Sequence, residues 1–359
     1  MPEQPPPTPQ ITVRRLVIVA LGATCAGFLI SLSFGFADHS PTPHDVGLAI
    51  AGPSVVAEHI QAGLDHVSPG GFKVVHAPSA RVAWNEILDQ STAGALIIPP
   101  TGPTTTLTAA AGGLTLEQGV VTALTASSHA IGRATVVHDL VPLPQSDRAG
   151  LTTFVFELGL LIPAVLVSIG IFLVGRVQRL WYRVLGACGF VLLVAAADVI
   201  AQYGILGAFS TAPLATYGIG VLGGASFVLF VAACQAVLGI SGTALGAVTF
   251  IFVGNALSGG TIPVSFLPNV YRQLARWVPN SAIVTGVRSV VYFGGRSLGH
   301  PLLVLSLWTG LALIVIAAVD LLHISELRRS AAPPHQIYAQ SALDHLRARS
   351  QSTTIEGGQ

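Results

Sequence analysis

Six apolar runs of 16 to 26 residues, almost free of charge, constrain this chain more than anything else in it: Leu16–Phe36, Leu151–Val174, Val184–Gly207, Leu214–Gly239, Thr243–Ser258 and Pro301–Leu322. An α-helix rises about 1.5 Å per residue, so a run of about 21 residues spans about 31 Å, the thickness of a bilayer's hydrocarbon core. Only 9% of the 359 residues are charged and 52% are hydrophobic, against roughly a quarter charged in a soluble domain. The expected fold is a polytopic α-helical membrane protein with six transmembrane helices, at 16–36, 151–174, 184–207, 214–239, 243–258 and 301–322. Residues 37–150 form a small α/β extracytoplasmic domain inserted between helices 1 and 2. Residues 1–15 and 326–359 are cytoplasmic tails, and the Pro-rich stretch Pro2–Pro9 has a disorder-prone composition.

A cleaved signal peptide is the rival reading of the first run, since Arg14 and Arg15 precede it and Ala37 follows it. Signal cores are shorter, about 7 to 15 residues, which favours a retained anchor. The fifth run reaches only about 24 Å and ends in the glycine-rich Gly254–Gly260, so it is short, tilted or re-entrant. Arginines gather at 14 and 15, at 176, 179 and 183, and at 328 and 329. With six alternating helices these share one side, which the positive-inside rule makes cytoplasmic; both termini lie there. The localisation expected is a multi-pass protein of the cell membrane.

Net charge is +1, with 17 basic and 16 acidic residues, which leaves no excess to hold nucleic acid. All basic residues but Lys73 are Arg, a coding bias expected of a GC-rich bacterial genome. Cys25, Cys188 and Cys234 sit in apolar runs and read as small buried hydrophobes.

Between 37 and 150, β-branched runs at Val46–Ala51, Phe72–His76, Ala95–Ile98 and Ala134–Val137 alternate with helical patterns at Ser54–Val67, Ser79–Gln90 and Leu116–Ala130, the pattern of an α/β domain. Nine acids against four bases give it a net charge of −5. Its histidines, His39, His44, His59, His66, His76, His129 and His138, raise a metal-binding or pH-sensing role against scattered surface histidine, and they lack metal-ligand spacing. Ser68–Lys73 reads as a turn. No nucleotide-binding, zinc-protease, hydrolase or dithiol motif occurs; no catalytic residue, metal or cofactor is expected, and any ATP would have to be hydrolysed by another chain.

Glu157, Asp198 and Asp320 lie within or at the ends of spans, where a carboxyl group is costly enough to suggest function. Glu157 and Asp198 either share a polar cavity or serve helix packing and interfacial hydration. The pairs Gly220/Gly224 and Gly242/Gly246 allow close helix approach. From Pro268 to Val278 the apolar spacing predicts an amphipathic helix at the interface, with Trp277 on its apolar side and Arg272 and Arg276 on the other. A second helix follows Pro279, capped by Asn280 or Ser281, with Arg288 exposed or paired.

Leu257–Pro263, Phe266-Leu267-Pro268, Trp277-Val278-Pro279 and Val287–Gly295 together resemble the end of the YhgE/Pip-like branch of the ABC-2 type transporter permease superfamily. The order of elements, one span, an insertion, the Asp147–Gly150 lead-in and five spans, is similar too. The resemblance implies a half-transporter that forms a homodimer or heterodimer of permeases in membrane lipid. A separate ABC ATPase subunit would dock on the loop carrying Arg176, Arg179 and Arg183, and an amphipathic or lipid-like substrate would be exported. The alternatives are a non-transporting envelope scaffold, receptor or secretion accessory of the same fold, and an ion-coupled transporter using Glu157 and Asp198.

Overall fold

A computed structural model describes residues 9–38, 41–174 and 180–330. Helix α1 (Pro9–Asp38) precedes an α/β region: β1 (Val46–Ala51), α2 (Ser54–Val67), β2 (Phe72–His76), α3 (Ala80–Leu88), β3 (Gly94–Ile97), β4 (Thr104–Thr108), α4 (Leu114–Ala130) and β5 (Thr135–Asp139). The helical part follows as α5 (Thr152–Val174), α6 (Leu180–Val199), α7 (Pro213–Leu238), α8 (Ser241–Ala247), α9 (Asn269–Ala275), α10 (Pro279–Tyr292) and α11 (Gly299–Ser330). The chain divides into two compact units, Met1–Ala312 and Leu313–Gln359. The first holds everything from α1 to the beginning of α11, and the second holds the later turns of α11.

The five strands form one sheet in the order β2-β1-β3-β4-β5. β1 is parallel to β2 and β3, β3 is antiparallel to β4, and β4 is parallel to β5. β1 is covered on both faces, which explains its unbroken apolar sequence. Leu48 and Ile50 pack with Ile60 and Leu64 of α2 and Val120 and Leu124 of α4, while Ala49 and Ala51 face Ala83 and Ile87 of α3. Ser79 caps α3 by accepting a hydrogen bond from the Val82 amide.

The sequence reading omits β4 because its residues, Thr-Thr-Thr-Leu-Thr, look like loop. Thr104, Thr106 and Thr108 are nonetheless fully buried. Their hydroxyls pair with Ser128 at 2.6 Å, Thr135 at 2.9 Å and Glu117 at 3.2 Å, and a hydroxyl with a partner is tolerated where an unpaired one is not.

Among the described residues five helices are long and apolar enough to cross a membrane: Leu16–Ala37, Thr152–Phe172, Val184–Ile205, Pro213–Leu238 and Gly299–Leu322. The remaining apolar run, expected over 243–258, folds as α8 continued by a π-helical stretch, Val248–Gly254. A second π-helical stretch, Ile200–Ile205, prolongs α6. Close helix contacts fall at the expected glycines. A Cβ on Gly224 would lie 2.9 Å from Val191 Cγ1 of α6, and one on Gly242 would lie 2.2 Å from the main chain at Cys234 of α7. Gln235 ties three helices together, donating to Ser168 O of α5 at 3.0 Å and Thr243 Oγ1 of α8 at 2.8 Å.

Residues 261–298 differ most from expectation. The interfacial helix predicted from Pro268 to Val278 is the shorter α9, because Val278 is extended (φ −91°, ψ 140°) ahead of Pro279, as a residue before proline prefers. α10 then begins at Pro279 itself with no side-chain cap, so neither Asn280 nor Ser281 has the capping role predicted for it. Arg288, expected exposed or paired, is buried, and it forms no hydrogen bond or ion pair with a described residue.

Candidate functional site

Residues 261–298 join the α/β region to the helical bundle. Phe266, in a short 3₁₀ turn, completes the apolar core between the sheet and α2 and α4. Tyr292 and Phe293, at the end of α10, complete the core on the sheet's other face. Polar contacts fix the same junction. The His44 amide donates to Ser265 O at 2.9 Å, Arg272 pairs with Asp45 at 2.9 Å, and Arg296 pairs with Asp89 at 3.1 Å. Both ion pairs are partly exposed, so they fix geometry more than they add stability.

On its bundle side the segment reaches Glu157. Asn280 Nδ2 donates to Glu157 Oε1 at 2.5 Å and to Phe250 O at 3.2 Å, connecting α10 to α5 and to the π-helical continuation of α8. Both side chains are fully buried, and Glu157 Oε2 and Asn280 Oδ1 have no partner among the described residues. A Cβ on Gly254 would lie 2.2 Å from Asn280 Oδ1, so this glycine makes room for the amide. The periodicity did carry a signal: Asn280, Ile283, Val284 and Val287 follow i, i+3, i+4, i+7, which places Asn280 in the apolar stripe.

The structure does not bring Glu157 and Asp198 together. Asp198 accepts from Gln202 at 3.4 Å and packs against Gly159, where a Cβ would sit 2.7 Å from its Oδ2. Glu157 and Gly159 are two residues apart on α5 and so point to nearly opposite sides of that helix. Asp320 lies on α11 and is half-buried. Arg176 and Arg179 lie outside the described residues, and Arg183 is on α6. Trp277 lies between α9 and α10 with its ring half-exposed and 5.7 Å from the His300 ring; its carbonyl accepts from Trp308 Nε1 at 2.7 Å.

Asp147 is a polar residue whose role the sequence reading missed. Its carboxylate accepts from the amides of Leu151 at 3.1 Å and Thr152 at 3.3 Å, capping the entrance to α5, and Tyr292 donates to it at 3.4 Å. Burial pushes the Tyr292 phenol up, and Asp147 adds to the effect. Burial lowers Arg288 from its ordinary value, while Tyr292 and Asp147 nearby oppose that. Among the described residues no three His, Cys, Asp or Glu side chains gather as a metal site would require.

Two of the clefts that open on the α/β region bear on function. One, of about 690 Å³, lies between α2 and α4 and is mostly apolar, with Phe72 and Phe266 among its walls. The other, of about 320 Å³, is bounded by the beginnings of β1 and β3 and by residues of the joining segment, Arg288 among them.

These apolar helices define the class as a polytopic helical membrane protein. No family model matches the chain, and no curated protein matches it.

Proposed function

We propose that the chain is an ABC-2-type permease subunit with six membrane crossings, the α/β region outside the cytoplasm and both termini inside. The observation that carries the topology is the contact of Ser265, Arg272 and Arg296 with His44, Asp45 and Asp89. On this reading residues 44–89 and 265–296 lie on the same side of the membrane. The three long helices α5, α6 and α7 would leave the chain on the opposite side, so the element Ser241–Gly254 has to bring it back. At 14 residues it reaches about 21 Å, which calls for local thinning of the bilayer or shielding of its ends by neighbours.

The transport reading draws on the sequence resemblance together with this architecture. The Asn280–Glu157 contact, Phe266 and Phe293 give α10 and its flanks a rigid hold on both the bundle and the α/β region. A movement of bundle halves, driven by an ATPase partner at the loop carrying Arg176, Arg179 and Arg183, would then be passed to the outer region. The substrate class is amphipathic or lipid-like. A receptor or scaffold role is the second reading, favoured by the 690 Å³ apolar cleft between α2 and α4.

The test is purification of the full chain in mild detergent through a C-terminal tag, with identification of co-purifying chains by mass spectrometry. A nucleotide-binding subunit is expected, and it should be lost when Arg176, Arg179 and Arg183 are changed to Ala. Recovery of envelope or secretion proteins alone, unaffected by the substitutions, overturns the permease reading in favour of the second.

A further inference from the structure

Arg288 is more than nine-tenths buried, with 9% exposure, yet it has no hydrogen-bond or ion-pair partner among the described residues. A guanidinium carries five N–H donors and does not give up its charge in a protein, and with Tyr292 and Asp147 offsetting only part of its desolvation, burying it without a hydrogen-bond partner is costly. It lines the 320 Å³ cleft together with Thr92, Thr285, Val264 and Phe293. Thr92 provides a second, independent signal: its Oγ1 is buried with no partner among the described residues, and the residue lines the same cleft.

The acids nearby are committed elsewhere. Asp45, on the rim, is held by Arg272 at 2.9 Å. Asp147 is near enough to favour the charged guanidinium without touching it, and its oxygens serve the Leu151 and Thr152 amides and the Tyr292 hydroxyl. The cleft thus offers the free donors of a guanidinium in a partly desolvated space, where a planar oxyanion matches its fork. Its volume is at the small end of ligand pockets, which run from roughly 300 to 1,000 Å³.

We propose that the cleft between the N-terminal ends of β1 and β3 and α10 is a binding site for a carboxylate or phosphate group, held by Arg288 and Thr92. The group belongs either to a free solute or to an anionic lipid headgroup. The site stands on its own geometry and does not depend on the permease reading.

The experiment is thermal unfolding of the full chain in detergent, titrated with inorganic phosphate and, separately, with succinate, against sodium chloride at matched ionic strength. A saturable rise of several degrees with at least one of the two oxyanions is expected, with Arg288→Met abolishing it and Thr92→Val weakening the apparent affinity about tenfold. Should Arg288→Met fail to fold, the near-isosteric Thr92→Val carries the test. Nanodiscs separate the sources. Equal phosphate responses in phosphatidylglycerol and phosphatidylcholine discs identify a solute site. A higher midpoint in phosphatidylglycerol alone, to which phosphate adds nothing and which Thr92→Val lowers, identifies a headgroup site. A response equalled by chloride, no saturable response to either oxyanion, or a response that the folded variants leave intact overturns the proposal.

Discussion

Thr104, Thr106 and Thr108 of β4 are as deeply buried as Glu157 and Asn280 of the bundle, but the two sets are satisfied by different means. Each threonine hydroxyl has a partner on the adjacent strand or on the covering helix α4. Neighbouring strands place such pairs in regular register, so no single partner is indispensable. Glu157 and Asn280 come from positions 123 residues apart, and each keeps one oxygen without a partner among the described residues. The small residues contrast in the same way: Gly242 of α8 lies against main chain of α7, whereas Gly63 of α2 has open space around it. The α/β region tolerates change through repetition, while the bundle relies on particular long-range fits.

The sharpest way to break that contrast is Gly242→Ala. The new Cβ would lie 2.2–2.4 Å from main-chain atoms of Cys234 and Gln235, and a loss of about 3 kcal/mol is expected from such overpacking. It would be read as a drop in unfolding midpoint and a loss of monodisperse protein in detergent. Asn280→Leu comes next, costing about 2 kcal/mol by leaving Glu157 Oε1 without its donor. Adding Glu157→Leu should recover much of that loss; a double variant as unstable as the sum of the singles would show the pair is not a coupled unit.

Gly63→Ala tests the other side of the comparison. Nothing lies within 4 Å of the added methyl group, so helix propensity alone should raise stability by about 0.5–1 kcal/mol, and a fall in midpoint would mean α2 is as tightly fitted as α8. The smallest effect concerns Glu117, whose pKa is raised above its usual 4.5 by burial first and by Asp139 second, against the lowering effect of the Thr108 hydrogen bond. A carboxyl raised on folding contributes stability that is fully present below pH 4.5 and is lost as pH rises through the folded value. Unfolding midpoints should therefore fall over that window by slightly less in Glu117→Gln than in the parent, and identical slopes would remove Glu117 from the account.

Much of the fold is legible one residue at a time. β1 and β2 occupy the stretches their β-branched and apolar residues predict, and α2 spans the predicted Ser54–Val67. What escapes the sequence depends on partners. β4 reads as loop until Ser128 and Thr135 stand beside its threonines. Asn280 reads as a cap because Asn caps helices; its place in the apolar stripe hints at an interior position, and the proximity of Glu157 identifies the contact. Arg288 follows an apolar run, yet it lines a cleft with Thr92, almost 200 residues earlier. Glu157 and Asp198 share polarity and depth in the sequence, which leaves a common cavity and separate packing roles both open, and their contacts fall on opposite sides of α5.

The junction at 261–298 also orders the making of the protein. The strands of the sheet are all synthesised by residue 139, yet the two aromatic residues that finish its faces, Phe266 and Phe293, are synthesised after α5, α6, α7 and α8. Until then each face has an open apolar corner. Contacts this distant along the chain are slow to form, and a nascent sheet in this state remains exposed while the remaining helices enter the bilayer. Maturation of the α/β region is thereby tied to completed insertion of the bundle, and a chain arrested after α7 would display that unfinished surface to the quality-control machinery of the cell.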